Sequence, residues 1–119
     1  MSSRILFTFR HPPYGSATAR EGLDALLAAA VYEQDIAVLF LNDGIFQLLR
    51  QQNAETGQTR DHGRMVSALP IYGVDKIYVH RPSLTSRGLT SGDLLLDAVE
   101  MSNIETRDFM NSFDQILSF

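Results

Sequence analysis

Residues 36–41 read Ile36-Ala37-Val38-Leu39-Phe40-Leu41, six apolar side chains in a row followed by Asn42-Asp43-Gly44. Successive side chains of a strand point to opposite faces, so a run that is apolar on both faces belongs to a strand covered on both sides. Only the interior of a sheet sandwiched between helices offers such a place, and Asn42-Asp43-Gly44 supplies the turn or cap that follows. These residues therefore predict a central strand of a largely parallel sheet.

Upstream, residues 18–31 carry Leu23, Leu26, Leu27, Ala30 and Val31 at i, i+3, i+4, i+7 and i+8, the apolar stripe of a helix, with Thr18 and Glu21 at capping-box spacing. Before it, residues 4–9 form a short apolar run, with Ile5, Leu6, Phe7 and Phe9. His11-Pro12-Pro13-Tyr14-Gly15 ends that run, so it reads as a first strand leaving into a turn. Downstream, Ile45, Leu48 and Leu49 mark a short helix, and residues 51–63, polar with two glycines, read as a mobile loop. Met65, Val66, Ala68 and Leu69 suggest another helix, ended by Pro70. Ile77, Tyr78 and Val79 make a third strand that stops at His80 before Arg81-Pro82. Residues 94–99 are a fourth apolar segment, Ser102 and Glu105 form a second capping-box pair, Phe109 and Phe113 continue a helical stripe, and residues 115–119 close the chain as a fifth strand. Alternating strands and helices with right-handed crossovers predict a single α/β domain over residues 1–119, a three-layer flavodoxin-like fold around a five-stranded parallel sheet.

Composition narrows the chemistry. The 119 residues include ten Lys and Arg against fourteen Asp and Glu, a formal charge of −4, which removes the excess positive charge behind non-specific nucleic-acid affinity. No direct nucleic-acid contact by this chain is expected. The longest apolar runs fall far short of the roughly 20 residues of a spanning helix, and no signal-type run follows Met1, so a cytoplasmic protein is expected. There is no cysteine, which excludes disulfides, thiolate metal sites, thiol nucleophiles and persulfides on this chain. Charge is also uneven: residues 93–119 hold six acids and one base, and the preceding 92 residues are near +1. A basic partner surface can exploit that, although a solvated acidic face explains it too.

Two places invite a functional reading. Gly15 and Ser16 lie in a loop before a helix start, where free amides and the helix dipole favour an anion, although the loop matches neither common glycine-rich phosphate or dinucleotide motif. Turn and cap chemistry accounts for the same residues. His80, Arg81 and Ser83 follow the third strand, and ligands of open α/β sheets gather at carboxyl ends of strands. A strand-end histidine with a local hydrogen bond is the plain alternative. His11, His62 and His80 share no metal-ligand spacing, and no catalytic serine motif is present. Neither catalytic residues, nor a metal, nor a cofactor is expected.

The stretch Gly15-Ser16-Ala17-Thr18-Ala19-Arg20-Glu21-Gly22-Leu23-Asp24-Ala25-Leu26-Leu27-Ala28 resembles the first helix of the DsrF-like, TusC-type chains of the DsrE/DsrF/DsrH family. Asp43-Gly44-Ile45-Phe46-Gln47-Leu48-Leu49, Tyr72-Gly73, Ser83-Leu84, Arg87-Gly88-Leu89 and Ile116-Leu117-Ser118-Phe119 resemble the same family in the same order. The resemblance implies a flavodoxin-like domain in a hetero-oligomer, a heterohexamer with the DsrE-like TusD and DsrH-like TusB subunits. It further implies that the DsrE-like subunit carries the reactive cysteine and passes persulfide sulfur through TusE towards 2-thiouridine at the tRNA wobble position, so that TusE meets this chain only through TusD. Counting back from Gly88, the position of that cysteine is His80 here, and imidazole cannot carry sulfane sulfur. The expectation is a non-catalytic subunit of a sulfur relay complex; the other reading is a flavodoxin-like module that binds an anion or nucleotide at Gly15 and Ser16.

Overall fold

The computed structural model describes residues 3–32, 35–50 and 57–119. Five strands, β1 (Ile5–Phe9), β2 (Ile36–Phe40), β3 (Ile77–His80), β4 (Val99–Met101) and β5 (Gln115–Ser118), form one all-parallel sheet in the order β4-β3-β2-β1-β5. Residues 36–40 of the apolar run are its central strand, and all six residues of the run, 36–41, are buried. Helix α1 (Thr18–Ala30) crosses from β1 to β2, α2 (Gly57–Ser67) lies between β2 and β3, α3 (Arg81–Ser86) follows β3, and α4 (Asn103–Asn111) carries the chain from β4 back across the sheet to β5. Three 3-10 segments, Asn42–Leu48, Leu69–Tyr72 and Ser91–Asp93, complete the connections.

Period-two alternation sorts the strand side chains into two cores. Ile5, Phe7, Phe9, Ile36, Val38, Phe40, Ile77 and Val79 meet Leu23 and Leu26 of α1 and Val66 of α2 on one face. Leu6, Ala37, Leu39 and Met101 meet Phe109, Met110 and Phe113 on the other, where α4 is the covering helix. The register Phe9 opposite Phe40 stacks their rings at 5.2 Å, and Phe119, just past β5, stacks on Phe7 and Phe9.

Four local expectations are corrected. Residues 57–63 are helical and not loop: α2 starts at Gly57, because a polar segment can still form a helix when a few buried contacts anchor one side, here His62 and Val66. Residues 51–56 of that expected loop lie outside the described residues. Thr18 does not cap α1; the chain enters the helix one residue earlier, with Ala17 at the cap position making no side-chain cap bond, and Ser16 Oγ accepts from Thr18 N–H at 3.4 Å. Val31, assigned to the buried stripe, lies beyond the end of α1 and is exposed. The fourth strand is only Val99–Met101; residues 94 and 95 instead lie beside the 3-10 segment, Leu95 N–H donating to the Leu48 carbonyl. The expected cap at Ser102 does form: its Oγ accepts from Glu105 N–H at 3.2 Å, and Glu105 Oε1 accepts from Ser102 N–H at 3.0 Å. Those bonds favour the ionised carboxylate and hold Glu105 below the usual range.

Candidate functional site

Parallel strands place all their carboxyl ends at one edge of the sheet, so residues distant in sequence meet there. His80 ends β3 and, two residues after Tyr78, points to the α4 side. Arg81-Pro82 starts α3 directly, because proline suits a first helical turn, and the tight turn returns Ser83 onto the histidine. His80 Nδ1 lies 2.6 Å from Ser83 Oγ, and Nε2 lies 2.5 Å from Oδ1 of Asn103, the first residue of α4. Ser83 Oγ also accepts from the backbone N–H of Asn42, at 2.8 Å. Asn103 Oδ1 can only accept, so the ring N–H sits on Nε2 and donates to it, and Nδ1 accepts from the Ser83 hydroxyl, a tautomer assigned from the bonding pattern. Both nitrogens are thereby engaged. The imidazole joins β3, α3, α4 and the end of β2, and it has no free lone pair for a substrate unless one of these bonds opens.

Arg81 does not join this group. Its Nε donates to Glu100 Oε1 at 3.3 Å, and Ser91 Oγ donates to the second oxygen of the same carboxylate. The structure thus brings His80 and Ser83 together and sends Arg81 elsewhere. A second cation does brace the site: Arg87 Nη1 donates to the Ser83 carbonyl at 3.1 Å and Nη2 to Asp43 Oδ1 at 2.9 Å. Asn42, Asn103, Asp43 and Arg87 were not singled out as site residues from sequence. Asn42-Asp43 carried a turn or cap signal, Asn103 lies between the Ser102 and Glu105 of the second capping box, and Arg87 lay within the resemblance, but nothing local signals that Arg87 reaches Asp43 or that Asn103 meets His80.

The loop at Gly15 and Ser16 follows β1, which β2 separates from β3 in the sheet. Gly15 takes φ +87°, a left-handed conformation that favours glycine, and a Cβ there would meet nothing within 4 Å. Ser16 is exposed, and its hydroxyl serves the first amide of α1.

A buried polar chain ties the same loop down from behind. Gln47, fully buried on the 3-10 segment after β2, donates from Nε2 to the His11 carbonyl at 2.8 Å. Its Oε1 therefore accepts from Nε2 of His62 on α2, at 2.7 Å. His62 is 3% exposed, and burial, reinforced by the nearby charge of Arg20 and partly opposed by Asp24, lowers its pKa to about 4. The three histidines fall in three places, and among the described residues no group of three or more His, Asp or Glu side chains is placed to hold a metal ion. No helix among them is long and apolar enough to cross a membrane.

The sequence matches known proteins over almost its whole length. A protein described as "Protein TusC homolog" in Vibrio parahaemolyticus is 38% identical over 117 residues, spanning 98% of this chain and 99% of that one. Proteins of the same description in Vibrio vulnificus and Aliivibrio fischeri are 36% and 35% identical over the same shares. The crystal structure of the ychN protein from E. coli superposes with a TM-score of 0.78 at 24% identity, covering 100% of both chains, which supports the three-layer α/β fold. The DsrE/DsrF-like family model matches residues 3–119, so the chain belongs to the DsrE/DsrF-like family.

Proposed function

We propose that this chain is a non-catalytic subunit of a cytoplasmic sulfur relay complex, a single domain that positions a thiol-bearing partner during persulfide transfer towards 2-thiouridine at the tRNA wobble position. Its partners in this reading are a DsrE-like (TusD) and a DsrH-like (TusB) subunit in a heterohexamer, with TusE acting on the DsrE-like subunit. The kinship with TusC homologues supports a place in a Tus assembly. The observation that carries the non-catalytic part is His80. A relay station needs a thiolate to attack sulfane sulfur and be attacked in turn, and this chain has an imidazole at the strand end and no cysteine anywhere. Nor does the imidazole act as a general base in this arrangement, because Ser83 and Asn103 occupy both of its nitrogens.

In the assembled complex, His80→Ala is expected to leave the rate of persulfide transfer within about threefold of the parent, well under 1 kcal/mol of barrier. A fall of about a thousandfold, roughly 4 kcal/mol, with the complex still assembled would make His80 a catalytic residue and overturn the assignment.

A further inference from the structure

Four large apolar side chains that the core leaves out lie on one end of the molecule. Val31 and Tyr32 follow α1, and Ile71 and Tyr72 close the 3-10 segment Leu69–Tyr72, with exposures from 59% to 86%. Both segments lead into strands, β2 and β3, so all four lie at the amino end of the sheet, opposite His80, where α1 and the 69–72 segment touch. Together they expose on the order of 500 Å² of apolar surface, as large as the largest patch of a typical monomer. That is more than half of the roughly 800 Å² each partner contributes to a standard interface.

Pro70 continues this surface into an open groove that also holds Ile77 and Leu95 between the carboxylates of Asp75 and Asp97. Both carboxylates are exposed, and among the described residues neither has an ion-pair partner. Lys76 Nζ pairs with Asp35 at 3.1 Å, while Arg50, which lines the same groove, donates to the neutral Leu94 carbonyl and keeps its charge, so the two carboxylates and Arg50 leave the groove at −1. An apolar centre beside unpaired negative charge matches a partner surface of apolar residues flanked by Lys or Arg.

We propose that this amino-end surface docks a basic protein subunit different from this chain. A second copy is the poorer occupant: it carries a formal charge of −4, and its Arg4, Arg20, Lys76, Arg81 and Arg87 are already paired within the chain. Docking at this end leaves the carboxyl edge, with His80, uncovered. The inference rests on the assembly reading above and adds to it the surface used and the sign of its partner.

The test is binding to a purified subcomplex of the DsrE-like and DsrH-like subunits of the same organism, by light scattering and titration. Tyr32→Asp and Ile71→Asp are each expected to weaken binding at least tenfold. The pair Asp75→Lys with Asp97→Lys should weaken it and flatten its salt dependence, and Ile104→Asp on the exposed side of α4 should leave it unchanged. All these positions are exposed, so an unshifted thermal midpoint verifies the fold of each variant. Binding of the amino-end variants within twofold of the parent, or equal weakening by Ile104→Asp, overturns the surface while the assembly reading stands. Self-association of the parent chain that Tyr32→Asp abolishes overturns the choice of partner. A parent chain that ignores the subcomplex altogether overturns the assembly reading and this inference with it.

Discussion

Gly44→Ala is expected to abolish or severely weaken the fold, lowering the thermal midpoint by more than about 10 °C, equivalent to at least about 3 kcal/mol. Gly44 follows β2 inside the 3-10 segment, and a Cβ built on it would stand 1.9 Å from the carbonyl oxygen of Phe9 and 2.5 Å from its carbon. Those are backbone atoms at the end of β1, and that oxygen already accepts from Leu41 N–H at 3.1 Å. No rotamer change relieves the clash; β1 and the segment after β2 must move apart, and the buried Gln47 would be pulled from its bond to His11. Gly22→Ala should cost less, since its added Cβ would meet the rings of Phe119 and Phe9 at 2.6–2.7 Å, and the half-buried Phe119 can shift. Gly15→Ala should cost about 1 kcal/mol, from the left-handed backbone alone. Urea or thermal melts of the three variants check this order, and a Gly44→Ala protein as stable as Gly15→Ala would refute the close approach.

Acid is expected to unfold the protein through His62. An unfolded histidine titrates near 6.5 and the buried His62 near 4, so between these values the unfolded chain binds the extra proton and the folded chain does not. Stability from this group is therefore complete above about pH 6.5 and is lost as the pH falls towards 4, by about 3 kcal/mol in all. Asp35, held below the usual carboxylate range chiefly by its hydrogen bond from Lys76, and Glu105, held low by its cap bonds, act at lower pH. Their contributions are present above the ordinary carboxylate pKa of about 4 and vanish as the pH falls through their depressed values, so they leave the window from 4 to 6.5 to histidine. His62→Gln keeps an amide donor near Gln47 but cannot titrate there, and it should flatten the dependence of the urea midpoint on pH across that window. An unchanged slope in the variant would contradict the assignment.

What the sequence made legible follows from what its patterns encode. Doubly apolar residues 36–41 forced a covered central strand, and the Ser102 to Glu105 spacing marked a real cap, because both signals are local. The helix expected around Met65 and Val66 is part of Gly57–Ser67, but its first half stayed hidden because its buried contacts include a histidine satisfied by Gln47, a residue 15 positions away, and apolar periodicity does not register such a pair. His80 was found at a strand end, but Asn103, 23 residues on, and Asn42, which reaches Ser83 across 41, became visible only when parallel strands aligned their ends. The apolar surface at Ile71 and Tyr72 was invisible for the converse reason: sequence shows that residues are apolar, not which of them the fold leaves uncovered.

Assembly without chemistry on this chain can be read in one experiment, native mass spectrometry of the chain co-expressed with DsrE-like and DsrH-like subunits and charged with persulfide sulfur. One complex containing all three chains in equal numbers is expected, with added sulfur on the DsrE-like subunit and none on this one. A free monomer beside a complex of the other two, or transferable sulfur carried by this chain, would contradict it.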